Sequence, residues 1–284
     1  MTYRECYEKG CHILNEAGIE ESTLDARLLL EAVCGTDRND LLAHGEQPVM
    51  SQAEEKYLNW IRQRAEHIPL QQLTGEQDFM GLTFSVNEHV LIPRQDTEIL
   101  VEEVLKKLHD RMRILDMCTG SGCILLSLMH YSNDCEGLGV DLSAEALEVA
   151  GQNVLKVLTP EKAEHAHFLQ SDLFEKVEGK FEIIVSNPPY IASAEVEKLM
   201  PEVRDHEPRM ALDGTEDGLY FYRRIIEEAG KHLVSSGMLF FEIGYDQGQA
   251  VSELMRAQGY REVQVVQDYA GLDRVVLGTY CERN

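Results

Sequence analysis

The sequence predicts an α/β protein: a mainly parallel sheet with helices on both faces, preceded by a small helical bundle and a β-hairpin connector. Three observations predict it. Apolar residues recur at helical spacing up to about Leu73, the period shortens to two between Gly75 and Pro93, and from Thr97 onward helix and strand patterns alternate.

Each element follows from its residues. Cys6, Tyr7, Gly10, Ile13, Leu14 and Ala17 mark a first helix. Ser22-Thr23-Leu24-Asp25 opens a second, with an apolar face read as Leu24, Leu28, Leu29, Ala32 and Val33 and a stop at Gly35. Ser51-Gln52-Ala53-Glu54 reads as a capping box ahead of Tyr57, Leu58, Ile61 and Ala65. Phe79, Leu82, Phe84 and Val86 alternate with small or polar residues around Gly81, which is a hairpin pattern. A helix carrying Leu100, Val101, Val104, Leu105 and Leu108 follows, then strands over residues 113–117, 137–140, 182–186, 238–243, 262–266 and 274–278. Helices are expected from Cys123 and Ser143, and over residues 219–233 and 247–258. The last two strands are too close in sequence for a crossover helix and should pair antiparallel. The expected division is residues 1–74, a connector at 75–93, and a sheet domain at 94–284.

Composition narrows the function. Of 284 residues, 26 are Lys or Arg and 50 are Asp or Glu, a net charge of −24 that repels a phosphate backbone and argues against stable nucleic-acid binding. No apolar run approaches the ~18 residues of a membrane span, and the first residues lack a signal-peptide layout. A cytoplasmic protein with no membrane association is expected. Seven cysteines without a CxxC pair read as free thiols, with no metal site.

Two segments carry chemistry. Residues 114–122, Ile-Leu-Asp-Met-Cys-Thr-Gly-Ser-Gly, run from a strand into a glycine-rich turn and then an apolar helix, which brings backbone close to a ligand above the sheet edge. Leu125 stands where a dinucleotide fingerprint has its third glycine, which disfavours a nicotinamide cofactor. Asp141 lies 21 residues beyond Gly120 at the end of the next strand, where a carboxylate can accept both hydroxyls of a ribose. A ribose-bearing ligand without phosphate, such as S-adenosylmethionine, fits this loop. Asp116 is placed to meet its ammonium, Asp172 its adenine amino group, and Leu173 the face of the ring. The second segment is Asn187-Pro188-Pro189-Tyr190, directly after an apolar strand. Two prolines stiffen the turn, so the Asn187 side-chain oxygen and the Pro188 carbonyl form a fixed pair of acceptors for an NH2 group. Tyr190 is then available to stack on the planar group that bears it.

With these segments the sequence resembles the class I S-adenosylmethionine-dependent methyltransferases that act on planar NH2 groups, and among them the bacterial release factor glutamine methyltransferases. Further matching segments are residues 75–82, Leu91-Ile92-Pro93-Arg94, Glu207-Pro208, Ala211-Leu212, Asp217-Gly218-Leu219, Asp268-Tyr269 and Arg274-Val275-Val276. The resemblance implies a Rossmann-like, seven-stranded methyltransferase domain, and a front helical domain that helps to grip class I peptide release factors. It implies methylation of the glutamine in the Gly-Gly-Gln loop of those factors, on the side-chain amide nitrogen (N5), leaving S-adenosyl-L-homocysteine. It also implies cofactor contacts at Cys118, Thr119, Gly120, Ser121, Gly122, Asp141, Asp172, Leu173 and Asn187. Asn187, Pro188, Pro189 and Tyr190 would hold the amide as catalytic and substrate-binding residues, with Arg94 as a further substrate contact. Arg94 also reads as one half of a surface ion pair with Asp96 or Glu98. Two departures stand out: Cys118 replaces the usual first loop glycine and is expected to narrow the turn, and Gln95 replaces a frequent proline.

Two other readings remain at this level. An adenine N6-methyltransferase acting on DNA or RNA would use the same Asn-Pro-Pro-Tyr geometry on a flipped base, but the chain has no basic stripe. A non-catalytic binding module would be favoured by loss of Asn187 or of the loop, and both are present.

Overall fold

The computed structural model describes residues 1–281, which form two compact units: Met1–Gly75 with Met200–His206, and Glu76–Leu199 with Glu207 onward. In chain order the first unit begins with α1 (Tyr3–Glu16), α2 (Ser22–Cys34), α3 (Arg38–Ala43), α4 (Ser51–Ala65) and α5 (Leu70–Thr74). The second contributes β1 (Glu76–Phe79), β2 (Leu82–Ser85), α6 (Asp96–Leu105), β3 (Arg113–Met117), α7 (Cys123–Tyr131), β4 (Glu136–Asp141), α8 (Ala144–Val157), α9 (Pro160–Ala163), β5 (Ala166–Gln170), β6 (Phe181–Ser186) and α10 (Ser193–Val196). Next come α11 (Pro201–Arg204), which belongs to the first unit, and then α12 (Arg209–Leu212), α13 (Tyr220–His232), β7 (Leu233–Glu242), α14 (Gly248–Ala257), β8 (Arg261–Gln267) and β9 (Asp273–Thr279).

The first unit closes around Cys6, Leu14, Leu29, Leu30, Tyr57 and Ile61. Two expectations are corrected here. The buried face of α2 carries Ser22, Asp25, Ala26, Leu29 and Leu30, while Leu24 is exposed. The face turns because Asp25 is drawn inward by the buried Arg64, whose Nε donates to Asp25 Oδ2 at 2.7 Å. Arg64 also reaches Glu202 on α11 at 3.1 Å, so one guanidinium joins α2, α4 and α11. Ser51 does not cap α4, because Met50 occupies the extended N-cap position and Ser51 is already helical. The complete capping box lies instead at Thr2 and Glu5, ahead of α1.

The second unit holds a seven-stranded sheet of order β5-β4-β3-β6-β7-β9-β8, parallel except where β9 pairs antiparallel with β7 and β8. Side-chain alternation builds both layers. Ile114, Ile183, Val185, Phe240, Val275 and Leu277 face α6, α7, α8 and the hairpin, and Leu115, Met117, Ile184, Leu239, Phe241 and Val276 face α13 and α14. The hairpin β1–β2 turns through Met80 (φ +52°) and Gly81 (φ +71°), the left-handed pair that matches strand twist.

Candidate active site

The carboxyl ends of β3, β4 and β6 open on a cavity of about 220 Å³, where ligands sit in open α/β sheets. After β3 the chain turns through Cys118 to Gly122, with Gly120 at φ +54° and Gly122 at φ +78°. The Gly120 N–H donates to Asp141 Oδ2 at 2.9 Å and the Ser143 N–H to Oδ1 at 3.0 Å, so both oxygens of the β4 acid are aimed by backbone. Burial raises the Asp141 carboxyl above its usual value, against the pull of these N–H groups. Cys118 stands at φ +63°, the left-handed region that glycine enters freely. The replacement therefore shows as strain of ~1–2 kcal/mol in the backbone. Gln95 holds φ −61°, the angle that proline would fix.

Asp116 lies away from the cavity wall. It is fully buried, accepts from Thr119 Oγ1 at 2.6 Å and from the Leu125 N–H at 3.3 Å, and so braces the loop from behind. That position corrects the expectation of a contact with the ligand ammonium. Its Oδ1 has no hydrogen-bond partner, and burial pushes the carboxyl up to about 7.

Of the residues expected at the site, Arg94, Cys118, Thr119, Gly120, Ser121, Asp141, Asp172, Leu173, Asn187 and Pro189 line the cavity, whereas Gly122, Pro188 and Tyr190 do not. Gly122 is the left-handed N-cap of α7, and a Cβ there would stand 3.3 Å from Ala150 Cβ. Asp172 pairs with Arg224 at 2.9 Å, and Leu173 turns at φ +49°. Arg94 pairs with the buried Glu207 rather than with Asp96 or Glu98, because Glu207 is an acid with almost no access to water and needs a cation. The Asn187–Tyr190 turn rests on two glycines: a Cβ on Gly214 would lie 2.8 Å from the Pro189 carbonyl oxygen, and one on Gly218 2.4 Å from the Tyr190 carbonyl oxygen. Gln247 Nε2 donates to that Tyr190 oxygen at 3.0 Å.

The loop, the acid after β4 and the rigid turn after β6 thus share one cavity, and sequence comparison agrees with that geometry. Residues 5–75 match the family model for the PrmC N-terminal domain, and residues 94–203 match the methyltransferase small domain. The release factor glutamine methyltransferase of Moorella thermoacetica is 43% identical over 281 residues, covering 98% of each chain. That of Agrobacterium fabrum is 40% identical over 269 residues, covering 93% of this chain and 92% of the relative. The chain belongs to the release factor glutamine methyltransferase family. Membership makes it an enzyme of the S-adenosylmethionine-dependent methyltransferase class. A methyltransferase structure from Pyrococcus furiosus shares the fold at 15% identity and a TM-score of 0.51, covering 82% of this chain and all of that one. No helix among the described residues is long and apolar enough to cross a membrane.

Several polar residues of this release factor glutamine methyltransferase site carry no motif. Asn153, buried in α8, exchanges bonds with the Ser85 backbone at 2.7 and 3.0 Å and donates to the Ser121 carbonyl at 2.9 Å, which ties the hairpin to the loop. Of the residues that line the cavity itself, the polar Thr97 and Asp213 and the apolar Met210 and Phe221 carry no motif either. A polar residue interrupting an apolar helix face was the available signal for Asn153 and Thr97.

Proposed function

We propose that this chain transfers the methyl group of S-adenosylmethionine to the side-chain amide nitrogen of the glutamine in the Gly-Gly-Gln loop of class I peptide release factors. The observation that carries this reading is the placement of Asn187 and Pro189 on the wall of the same cavity as Asp141 and the glycine-rich loop. The residues present suit the cofactor: an aimed carboxylate for ribose hydroxyls, an apolar wall of Val140, Leu142, Leu173 and Phe221, and left-handed glycines that keep backbone accessible. Asp141 would hold the ribose, Asp172 and Leu173 the adenine, and residues 118–122 the amino-acid tail. Bound there, S-adenosylmethionine supplies an electrophilic methyl group.

The chain's own part is orientation. Asn187 Oδ1 and the Pro188 carbonyl accept the two hydrogens of the substrate NH2, which presents the nitrogen in line with the donor. Amide nitrogen is a poor nucleophile, and its proton leaves after transfer, so no base acts first. Tyr190, which stands off the cavity wall with its hydroxyl on Glu242, is assigned to the planar amide through the turn it closes, and Arg94, held by Glu207, adds a cation at the cavity wall. Residues 1–74 are assigned to gripping the factor, 75–93 to the connector and 94–284 to transfer.

Labelled S-adenosylmethionine offered with purified release factor, and separately with adenine-containing duplex DNA, tests the reading. Label is expected in the factor and absent when the loop glutamine is replaced. Label in DNA alone overturns it.

A further inference from the structure

Glu242 ends β7 and takes no part in the roles proposed above. It is 2% exposed, its Oε1 accepts from the Tyr190 hydroxyl at 3.3 Å, and its Oε2 is buried with no hydrogen-bond partner. The Thr97 hydroxyl, itself buried, faces the same carboxylate and accepts from Asn187 Nδ2 at 3.4 Å. The acid is bonded to the Tyr190 end of the turn, and Thr97, the hydroxyl beside the same carboxylate, is bonded to the Asn187 end.

The groups around Glu242 come from every neighbouring element. Thr97 and Asp96 belong to α6, Arg274 to β9 and Cys123 to α7, and Tyr222 on α13 donates to the Glu242 backbone carbonyl at 2.9 Å. Arg274 is shared between Asp96 and Asp268, each at 3.1 Å. Burial pushes the Glu242 carboxyl up to about 7, against the pull of Thr97, Arg274 and Tyr190, with Asp96 adding to the rise.

We propose that Glu242 sets which way the Asn187 side-chain amide points, acting through the Thr97 hydroxyl, and is thereby a positioning residue for the transfer reaction. The inference rests on the function proposed above. A threonine hydroxyl has one hydrogen to give. When Glu242 is ionised it only accepts, so Thr97 donates to it and offers Asn187 nothing but lone pairs. Asn187 then meets Thr97 through its NH2, as found, and its Oδ1 is left to accept from the substrate NH2. When Glu242 is protonated it donates to Thr97, the Thr97 hydrogen turns to Asn187 Oδ1, and the Asn187 NH2 faces the substrate NH2. Two donors then confront each other and the substrate amide loses its acceptor.

The test has two readouts on the full chain. In protein labelled with nitrogen-15 at asparagine, the Asn187 side-chain NH2 signal, assigned by its loss in Asn187→Ala, is expected to titrate with a midpoint near 7. The titration should vanish in Glu242→Gln and Thr97→Val and return in Thr97→Ser. In turnover, kcat should rise with pH through the same midpoint, about ten-fold per unit on the low side. Glu242→Gln should be at least about ten-fold slower and lack that limb, and Thr97→Ser should retain it. An Asn187 signal that ignores pH, or a limb that survives in Glu242→Gln, overturns the proposal. If Glu242→Gln does not fold, the wild-type, Thr97→Val and Thr97→Ser titrations decide. A titrating Asn187 in a protein that methylates no release factor would retain the relay and remove the substrate assignment.

Discussion

The backbone N–H of Gly120 donates to Asp141 Oδ2 at 2.9 Å, so the first turn of the loop and the acid 21 residues later form one unit. Neither holds its geometry alone. Asp141 loses rotamer freedom to the Gly120 and Ser143 amides, and the loop gains an anchor on β4.

Asp141→Ala is therefore expected to weaken binding of S-adenosylhomocysteine by about 10- to 100-fold, the worth of one or two charge-assisted hydrogen bonds. Calorimetric titration of the purified protein measures it. Unchanged affinity would mean that Asp141 serves the loop and not the ligand.

Asn187→Ala should reduce methyl transfer by on the order of 10²-fold, with the loss mainly in kcat, because an unaligned amide retains its affinity but loses its attack geometry. Steady-state kinetics with release factor as the varied substrate would show this. A variant with wild-type kcat removes the orienting role from this residue.

Gly218→Ala acts on the same turn from beneath. Its φ is +71° and a Cβ would stand 2.4 Å from the Tyr190 carbonyl oxygen and 2.8 Å from Gln247 Nε2, so backbone must move. Turnover is expected to fall at least about ten-fold, since small displacements cost orientation heavily. Circular dichroism and turnover, measured together, separate a displaced turn from an unfolded chain. A folded variant with normal kcat would show that the turn tolerates the shift.

Much of this was legible because it is local. Strand alternation, the loop from Cys118 to Gly122, the acid closing β4 and the rigid Asn187–Tyr190 turn are each written in a few consecutive residues. Glu207, Glu242 and Asn153 were not, because a polar residue in a helix, strand or loop reads as solvent-facing unless its partner is known. The partner of Arg94 lies 113 residues away. Similarly, nothing near Glu202 announces that Arg64 and His67 share it, and so the place of α11 beside α2 and α4 had no sequence signal. Cys118 is the intermediate case: its identity was visible, but its left-handed backbone was not.

Arg64 is a buried cation of the first unit, with Asp25 at 2.7 Å and Glu202 at 3.1 Å. Arg64→Ala strands the buried Asp25 carboxylate, while Glu202 keeps His67 at 3.0 Å, and removing one partner of a buried pair costs about 3–5 kcal/mol. Urea unfolding followed by tryptophan fluorescence reports on this unit through Trp60 on α4. A midpoint shift equivalent to less than about 1 kcal/mol would place the pair among ordinary surface contacts.

Asp116 makes stability depend on pH in a stated direction. Its carboxyl is moved from 3.8 up to about 7 by burial, so between those values the folded chain holds a proton that the unfolded chain has released. The stabilisation is complete below the unfolded value and is lost as pH rises through the folded one. Asp116→Asn has no such proton to lose. The Tm of the variant minus that of the wild type should therefore climb from about pH 4 to about pH 7 and level off above, whatever its value at the acid end. Other buried acids cancel in the difference, Glu242 among them, because both proteins carry them. Paired thermal melts across that range measure the slope. A difference that stays flat would mean that Asp116 is ionised in the folded protein, with water or a rotated Thr119 serving the oxygen that now stands alone.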